Sequence, residues 1–233
     1  MIQVLSLRFF PSFLLLWLCV AGGTLRAQIN LKVGYTASIF DWDASNDLLE
    51  RFSEARPYLD DTWDPIRFLN GVDVGITYQT EVFGLEAGYE FKFGQRDARG
   101  IPPGATADFR ERLFYNVQGY YLGAKAGYDF LFAGVNVVQN RLRMSFENDD
   151  LDDRLTLLRD NFQTLQCYLS LEPNRRAPFR IALRPYVEIP LRNNDLRAAA
   201  EFLEPDFAAG QPDDFYEERW VQYGLRIVFF NGR

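Results

Sequence analysis

An all-β chain that closes as an antiparallel, up-and-down barrel of eight strands is what three features of this sequence predict. Segments of about ten residues alternate apolar and polar side chains with a period of two, the mark of a β-strand with one greasy face. The connections between them are alternately long and short, as in barrels with tight turns on one rim and long loops on the other. Beyond residue 27 the chain keeps 206 residues, and at about 26 per strand with its connection eight strands use them all, in one domain, 28–233.

The segment 220–230, WVQYGLRIVFF, alternates most cleanly: Val221, Tyr223, Leu225, Ile227 and Phe229 oppose Trp220, Gln222, Gly224, Arg226 and Val228. The first strand, 29–40, sets Ile29, Leu31, Val33, Tyr35, Ala37 and Ile39 against Asn30, Lys32, Gly34, Thr36 and Ser38. A long connection, 41–65, carries a short helix with Ser45 as N-cap, Leu48, Leu49, Phe52 and Ala55 on one side, and Pro57 as terminator. Strands two (68–78) and three (83–93) flank a tight turn at 79–82; the connection 94–108 holds Gly100, Pro102, Pro103 and Gly104. Strand four ends at Tyr128, a turn spans 129–132, and strand five runs through Val135 and Val137 towards Phe146. An extra hairpin within 109–146 would raise the count to ten; eight is the expectation. An Asp-dense connection, 147–160, leads to strand six (162–171), the short turn 172–178 and strand seven (179–190). The last long connection, 191–218, includes a helical turn from Asp195 to Leu203, stopped by Pro205.

Residues 1–27 read as a secretory signal, with Arg8, an apolar run over 9–20 and a small-residue tail to Ala27. The run is shorter than the roughly 20 residues a membrane helix needs. Cys19 inside it lacks a lipobox, and once the signal is removed Cys167 is the one cysteine left, so no internal disulfide is expected. Without Arg8 and Arg26 the chain has 23 basic against 32 acidic side chains, a balance that argues against nucleic acid as a partner.

Alternation alone does not say which face points out. A soluble lipocalin-like barrel turns its apolar face inward; a transmembrane barrel does the reverse. The greasy face here is almost free of charge and rich in Tyr and Phe near strand ends. The other is rich in Gly and carries Lys32, Asp73, Glu86, Glu90, Lys92, Lys125, Asp129, Arg180, Arg184, Glu188 and Arg226. Both signs together suit a narrow lumen in which buried charges pair. A transmembrane barrel is therefore expected, with outer-membrane lipid around it.

Gln222, Gly224, Ile227 and Phe229 fall in a polar-x-Gly-x-x-apolar-x-aromatic spacing. This resembles the terminal-strand signal that bacterial outer-membrane barrels present to their insertion machinery, although three residues follow Phe230 where that family ends on the aromatic. With the strand layout, the chain from 28 to 230 resembles the small OmpA/OmpX-type outer-membrane β-barrels, particularly those of Bacteroidota-like bacteria. The resemblance implies the bacterial outer membrane, short periplasmic turns, long extracellular loops, and the insertion machinery as a partner. It brings no functional motif.

No histidine occurs, so Ser–His and Asp–His catalysis, which enzymes among such barrels commonly use, is excluded. A carboxylate-only site around Asp73, Glu86 and Glu90 is weaker than paired lumen charge. Arginines 180, 184 and 226 could line an anion path, but eight strands enclose little more than their own side chains. The acidic runs Asp60-Asp61-Asp64 and 148–153 lack the Gly and final Glu of an EF-hand loop, and Cys167 reads as an apolar filler. Trp42, Tyr58 and Trp63 either contact a partner or seal the barrel mouth against Leu48 and Phe52. The expectation is a non-enzymatic barrel, without cofactor or metal, acting structurally or by binding an extracellular partner through loops 41–65 and 191–217. A narrow solute channel and a soluble barrel with an apolar ligand are the alternatives.

Overall fold

The computed structural model describes residues 28–40, 42–60, 63, 65–104, 106, 108–149, 153–173, 177, 179–203 and 216–231. The signal segment 1–27, Asp61, Asp64, Asp150, Asp152 and Pro205 lie outside the described residues.

Eight antiparallel strands close a ring: β1 (Gln28–Phe40), β2 (Phe68–Gln79), β3 (Phe83–Gly100), β4 (Phe109–Tyr128), β5 (Leu131–Asn148), β6 (Leu155–Leu171), β7 (Phe179–Pro190) and, after a two-residue pair β8 (Asn194–Asp195) and β9 (Glu217–Glu218), β10 (Gln222–Asn231). Each barrel strand pairs with its sequence neighbour, and β10 returns to β1, with Val33 opposite Phe229 and Ser38 opposite Gly224. Closure leaves the lower barrel without a free sheet edge, as a lipid surrounding demands, while β3 beyond Phe93 and β6 before Thr164 are laddered on one side only.

Through the lower part of the wall, towards the short turns, the apolar face is outside. Ile29, Leu31 and Val33 on β1, Leu122 on β4, Val135 and Val137 on β5, Leu169 on β6 and Ile181 on β7 are exposed, while Lys32, Glu86, Lys125 and Arg184 are buried within. That excludes a lipocalin-like interior.

β3 to β6 reach well past this belt, and there the faces exchange chemistry without losing the alternation. On β5 the outward series runs Val135, Val137, Gln139, Arg141, Arg143; the inward one runs Asn136, Val138, Asn140, Leu142, Met144. On β3, Gln95, Asp97 and Arg99 face out and Ala98 is buried. The extension corrects two boundaries. β3 ends at Gly100, not near 93, and β6 begins at Leu155, not 162, so the connections shrink to 101–108 and 149–154. A continuous outward greasy face is a membrane criterion; above the belt the same strand needs the opposite pattern.

The extended wall surrounds a second, apolar core. Helix α1 (Asp43–Glu54) turns Leu48, Leu49 and Phe52 inward, and a shorter helix α2 (Arg197–Leu203) adds Ala199, Ala200 and Leu203. Leu113 and Val117 of β4, Leu142 and Met144 of β5 and Phe162 of β6 complete it. Three local expectations change here. The N-cap of α1 is Trp42, without a side-chain cap bond, and Ser45 lies inside the first turn. In the last connection the helix starts at Arg197, whose N–H donates to Asp195 Oδ1 at 2.9 Å, so Asp195 caps it. Trp220 precedes the final strand and is fully buried in the cap. β4 and β5 join through a two-residue turn in which Asp129 takes a left-handed φ of 57°, a conformation that Asp tolerates better than most residues. Asp129 is thus exposed on the rim instead of inside the lumen.

Candidate functional site

Ten of the eleven charges expected inside are buried, Asp129 being the exception. They come from β1, β2, β3, β4, β7 and β10, and with one exception they join an alternating chain up the lumen. At the turn end Lys125 pairs with Glu172, which lies 3.5 Å from Arg184. Arg184 holds Glu86 with two hydrogen bonds of 2.9 and 2.8 Å. Lys32 donates to Glu86 at 2.8 Å and stands 3.7 Å from Asp73. Arg226 bridges Asp73 at 3.3 Å and Glu90 at 2.5 Å; Lys92 bridges Glu90 at 2.9 Å and Glu188 at 2.5 Å.

The series Lys125, Glu172, Arg184, Glu86, Lys32, Asp73, Arg226, Glu90, Lys92, Glu188 alternates sign throughout and sums to zero. Such charges tolerate burial because each has an opposite neighbour, and some accept further hydrogen bonds. Glu188, for example, accepts from Thr164 Oγ1 (2.6 Å) and Asn140 Nδ2 (2.9 Å). Arg180, also expected here, is buried beside the chain with its guanidinium 5.3 Å from the centre of the Phe230 ring.

Glu172 was not among the expected residues, since it follows the strand in a turn. Its signal was available: continuing the inward series of β6 (Gln166, Tyr168, Ser170) by one step reaches it. Tyr168 and Tyr186 fill the space left by glycines on neighbouring strands. A Cβ on Gly134 would stand 2.3 Å from the Tyr168 ring, and one on Gly224 2.3 Å from that of Tyr186. The Gly224 of the terminal-strand spacing therefore faces the lumen and is needed for close approach. Gln222 is buried and accepts from Lys92 Nζ at 3.0 Å. Ile227 and Phe229 face out, Phe229 stacked on Phe179 with centroids 5.8 Å apart.

Above the charge chain the cap closes the mouth. Trp42 stacks on Trp220 (4.7 Å) and Phe52 on Trp63 (4.5 Å), so Trp42 and Trp63 seal the barrel and are not free for a partner. Glu218 ties the two long loops together: its carboxylate accepts from Ala44 N–H (2.9 Å), Ser45 Oγ (3.1 Å) and Trp220 Nε1 (2.6 Å). A carboxylate there also complements the N-terminus of α1. Burial pushes the Glu218 carboxyl above its ordinary value, and these three donors oppose the rise. Leu59 bridges to Gly100 on the β3 extension, and a Cβ on Gly100 would lie 1.9 Å from the Tyr58 carbonyl. Cys167 lies half-buried on the outer wall. Among the described residues no three His, Cys, Asp or Glu side chains converge as metal ligands would.

A closed eight-stranded ring with an apolar outer belt and a charge-paired lumen defines the class: a small transmembrane β-barrel with the fold of the small bacterial outer-membrane barrels. No protein-family model matches the sequence, and no curated protein matches it. Among solved structures the chain is similar to Ail, the attachment invasion locus protein of Yersinia pestis, in complex with the heparin analogue sucrose octasulfate; the identity is 7%, the TM-score 0.45, and 89% of this chain and 99% of that one are covered. It is also similar to Neisserial surface protein A (6%, 0.35, 88% and 96%) and to the N-terminal β-barrel domain of Pseudomonas aeruginosa OprF (10%, 0.34, 88% and 99%).

Proposed function

We propose that this chain is a non-enzymatic barrel of the bacterial outer membrane, exported through a cleaved signal at 1–27, that acts structurally and by binding through its cap. The alternating ten-charge chain is the observation that carries this reading. Acid–base catalysis needs a group free to exchange its proton, and conduction needs charge available to a passing ion; in this lumen each carboxylate of the chain is engaged by a cation. The apolar core of the cap lies across the mouth above it. What remains for a partner is the outer surface of the cap, where α1 exposes Asp47 and Glu50.

Planar-bilayer recording tests the sealed lumen: the purified barrel should insert without conductance steps, and steady resolvable steps would favour the channel. Orientation is tested with an impermeant maleimide on intact cells in a Cys167→Ser background. Glu50→Cys on α1 should label and Glu81→Cys in the β2–β3 turn should not; the reverse pattern would invert the topology. For the terminal strand, Phe229→Ala should lower outer-membrane yield more than Phe83→Ala, and equal yields would remove its role as an insertion signal.

A further inference from the structure

The outward face of β4, β5 and β6 changes in three rows above the apolar belt. Strand register sets Tyr120, Gln139 and Gln163 side by side, then Gln118, Arg141 and Asn161, then Asn116, Arg143 and Arg159. No carboxylate occurs in these rows. All three arginines are exposed, and Arg143 and Arg159 are direct cross-strand partners, a like-charge opposition that destabilises a sheet pair. Arg143 turns to Thr156 Oγ1, 2.9 Å from Nη2. Arg141 and Arg159 have no hydrogen bond or ion pair among the described residues. Further up the same wall Arg110 has Asp97 at 2.5 Å and Arg112 has Glu147 at 2.7 Å. In a chain with excess acid, three adjacent guanidinium groups without a counter-charge call for one from outside.

Their height says which. With a rise of about 3.4 Å per residue and a strand tilt near 40°, Arg141 stands about 5 Å above the glutamine row along the membrane normal, and Arg143 about 5 Å higher. That is the headgroup layer, and arginine's long stem adds reach within it. We propose that Arg141, Arg143 and Arg159 form a site on the outer wall for the phosphate of a membrane-lipid headgroup. Guanidinium groups take phosphate oxygens in a fork that lysine cannot offer; Gln118 and Asn161, in the same row as Arg141, add amide donors. Tyr120, 71% exposed at the top of the belt, offers an aromatic surface to the first part of the acyl chain. This rests on the membrane placement of the belt.

The test is electron spin resonance of the full-length barrel in phosphatidylcholine vesicles doped with spin-labelled phosphatidic acid or spin-labelled phosphatidylcholine. The motionally restricted lipid at the barrel wall should favour phosphatidic acid, on the order of five-fold for each arginine engaged. Arg141→Gln/Arg143→Gln/Arg159→Gln should abolish the preference, and Arg110→Gln should leave it unchanged. If the triple variant fails to fold, Arg141→Gln alone, on an exposed side chain, should still reduce it. Loss of the preference on adding inorganic phosphate would make this a free-phosphate site and overturn the lipid assignment. Restricted lipid without any preference, or a preference that survives the triple variant, overturns the proposal while leaving the membrane barrel intact. Absence of any restricted lipid overturns the membrane placement itself.

Discussion

The lower barrel and the cap are built from the same strands with opposite chemistry. Below, on β5, Val135 and Val137 face out and Asn136 faces in; above, Arg141 and Arg143 face out and Leu142 and Met144 face in. The solvent explains the difference. In lipid an apolar exterior gains nothing by burial, so the polar groups must satisfy one another inside. In water the usual hydrophobic drive returns and the apolar residues go in. One covalent wall thus holds two folding problems, solved by electrostatics below and by packing above.

The largest effect is expected where a charge is removed from the lower zone. Glu86→Leu leaves Lys32 and Arg184 without their nearest carboxylate and should cost about 3–5 kcal/mol, read by denaturant unfolding in lipid vesicles. A cost below about 1 kcal/mol would mean that the chain is not a set of mutually dependent pairs. In the upper zone Leu142→Ala should cost about 2–5 kcal/mol through the cavity it opens. The contrast is with Leu122→Ala, outward in the belt, where lipid fills the space. Equal costs at the two leucines would break the two-zone account.

Next comes the outer face. Val135→Arg, outward and midway between the β4–β5 turn and the glutamine row, should cost about 2–4 kcal/mol near the bilayer midplane, while Gln95→Arg, outward on β3 above the belt, should stay within about 0.5 kcal/mol. Similar penalties would place both in one medium. The smallest effect concerns Glu218. Its folded-state pKa lies above the ordinary 4.5, so the native cap binds this proton more tightly than the unfolded chain. The resulting stabilisation is fully present below about pH 4.5 and is lost as pH rises through the raised value. The protection of the α1 amides, each exchange rate divided by the intrinsic rate at the same pH, should rise from pH 7 down to 4.5, and Glu218→Gln should remove that trend. A slope unchanged in the variant would assign it to another group.

How the fold was legible differs between the zones. β7 was readable to its ends, 179–190, because its whole outward face lies in the belt. β3 and β6 were cut short, since reading for an outward greasy face stops where the chemistry changes sides, although the period of two runs on. Parity placed Lys32, Glu86 and Arg226 inside correctly. It failed at Asp129, where the chain has left the strand for a left-handed turn, and one further step of the same parity beyond Ser170 reaches Glu172.

The sequence by itself determined the strand alternation and the inward face of the belt, because each depends on residues near one another in a strand of fixed period. The pairing of charges was decided only by closure: Arg184 and Glu86 lie 98 residues apart and Arg226 and Asp73 153 apart, and only the ring's register sets them within reach. The cap was decided in the same way, since Glu218 meets the start of α1 across 174 residues, and Arg143 stands opposite Arg159 only once β5 and β6 have paired. Local alternation fixes which way a side chain points; which other side chain it meets there depends on long-range closure.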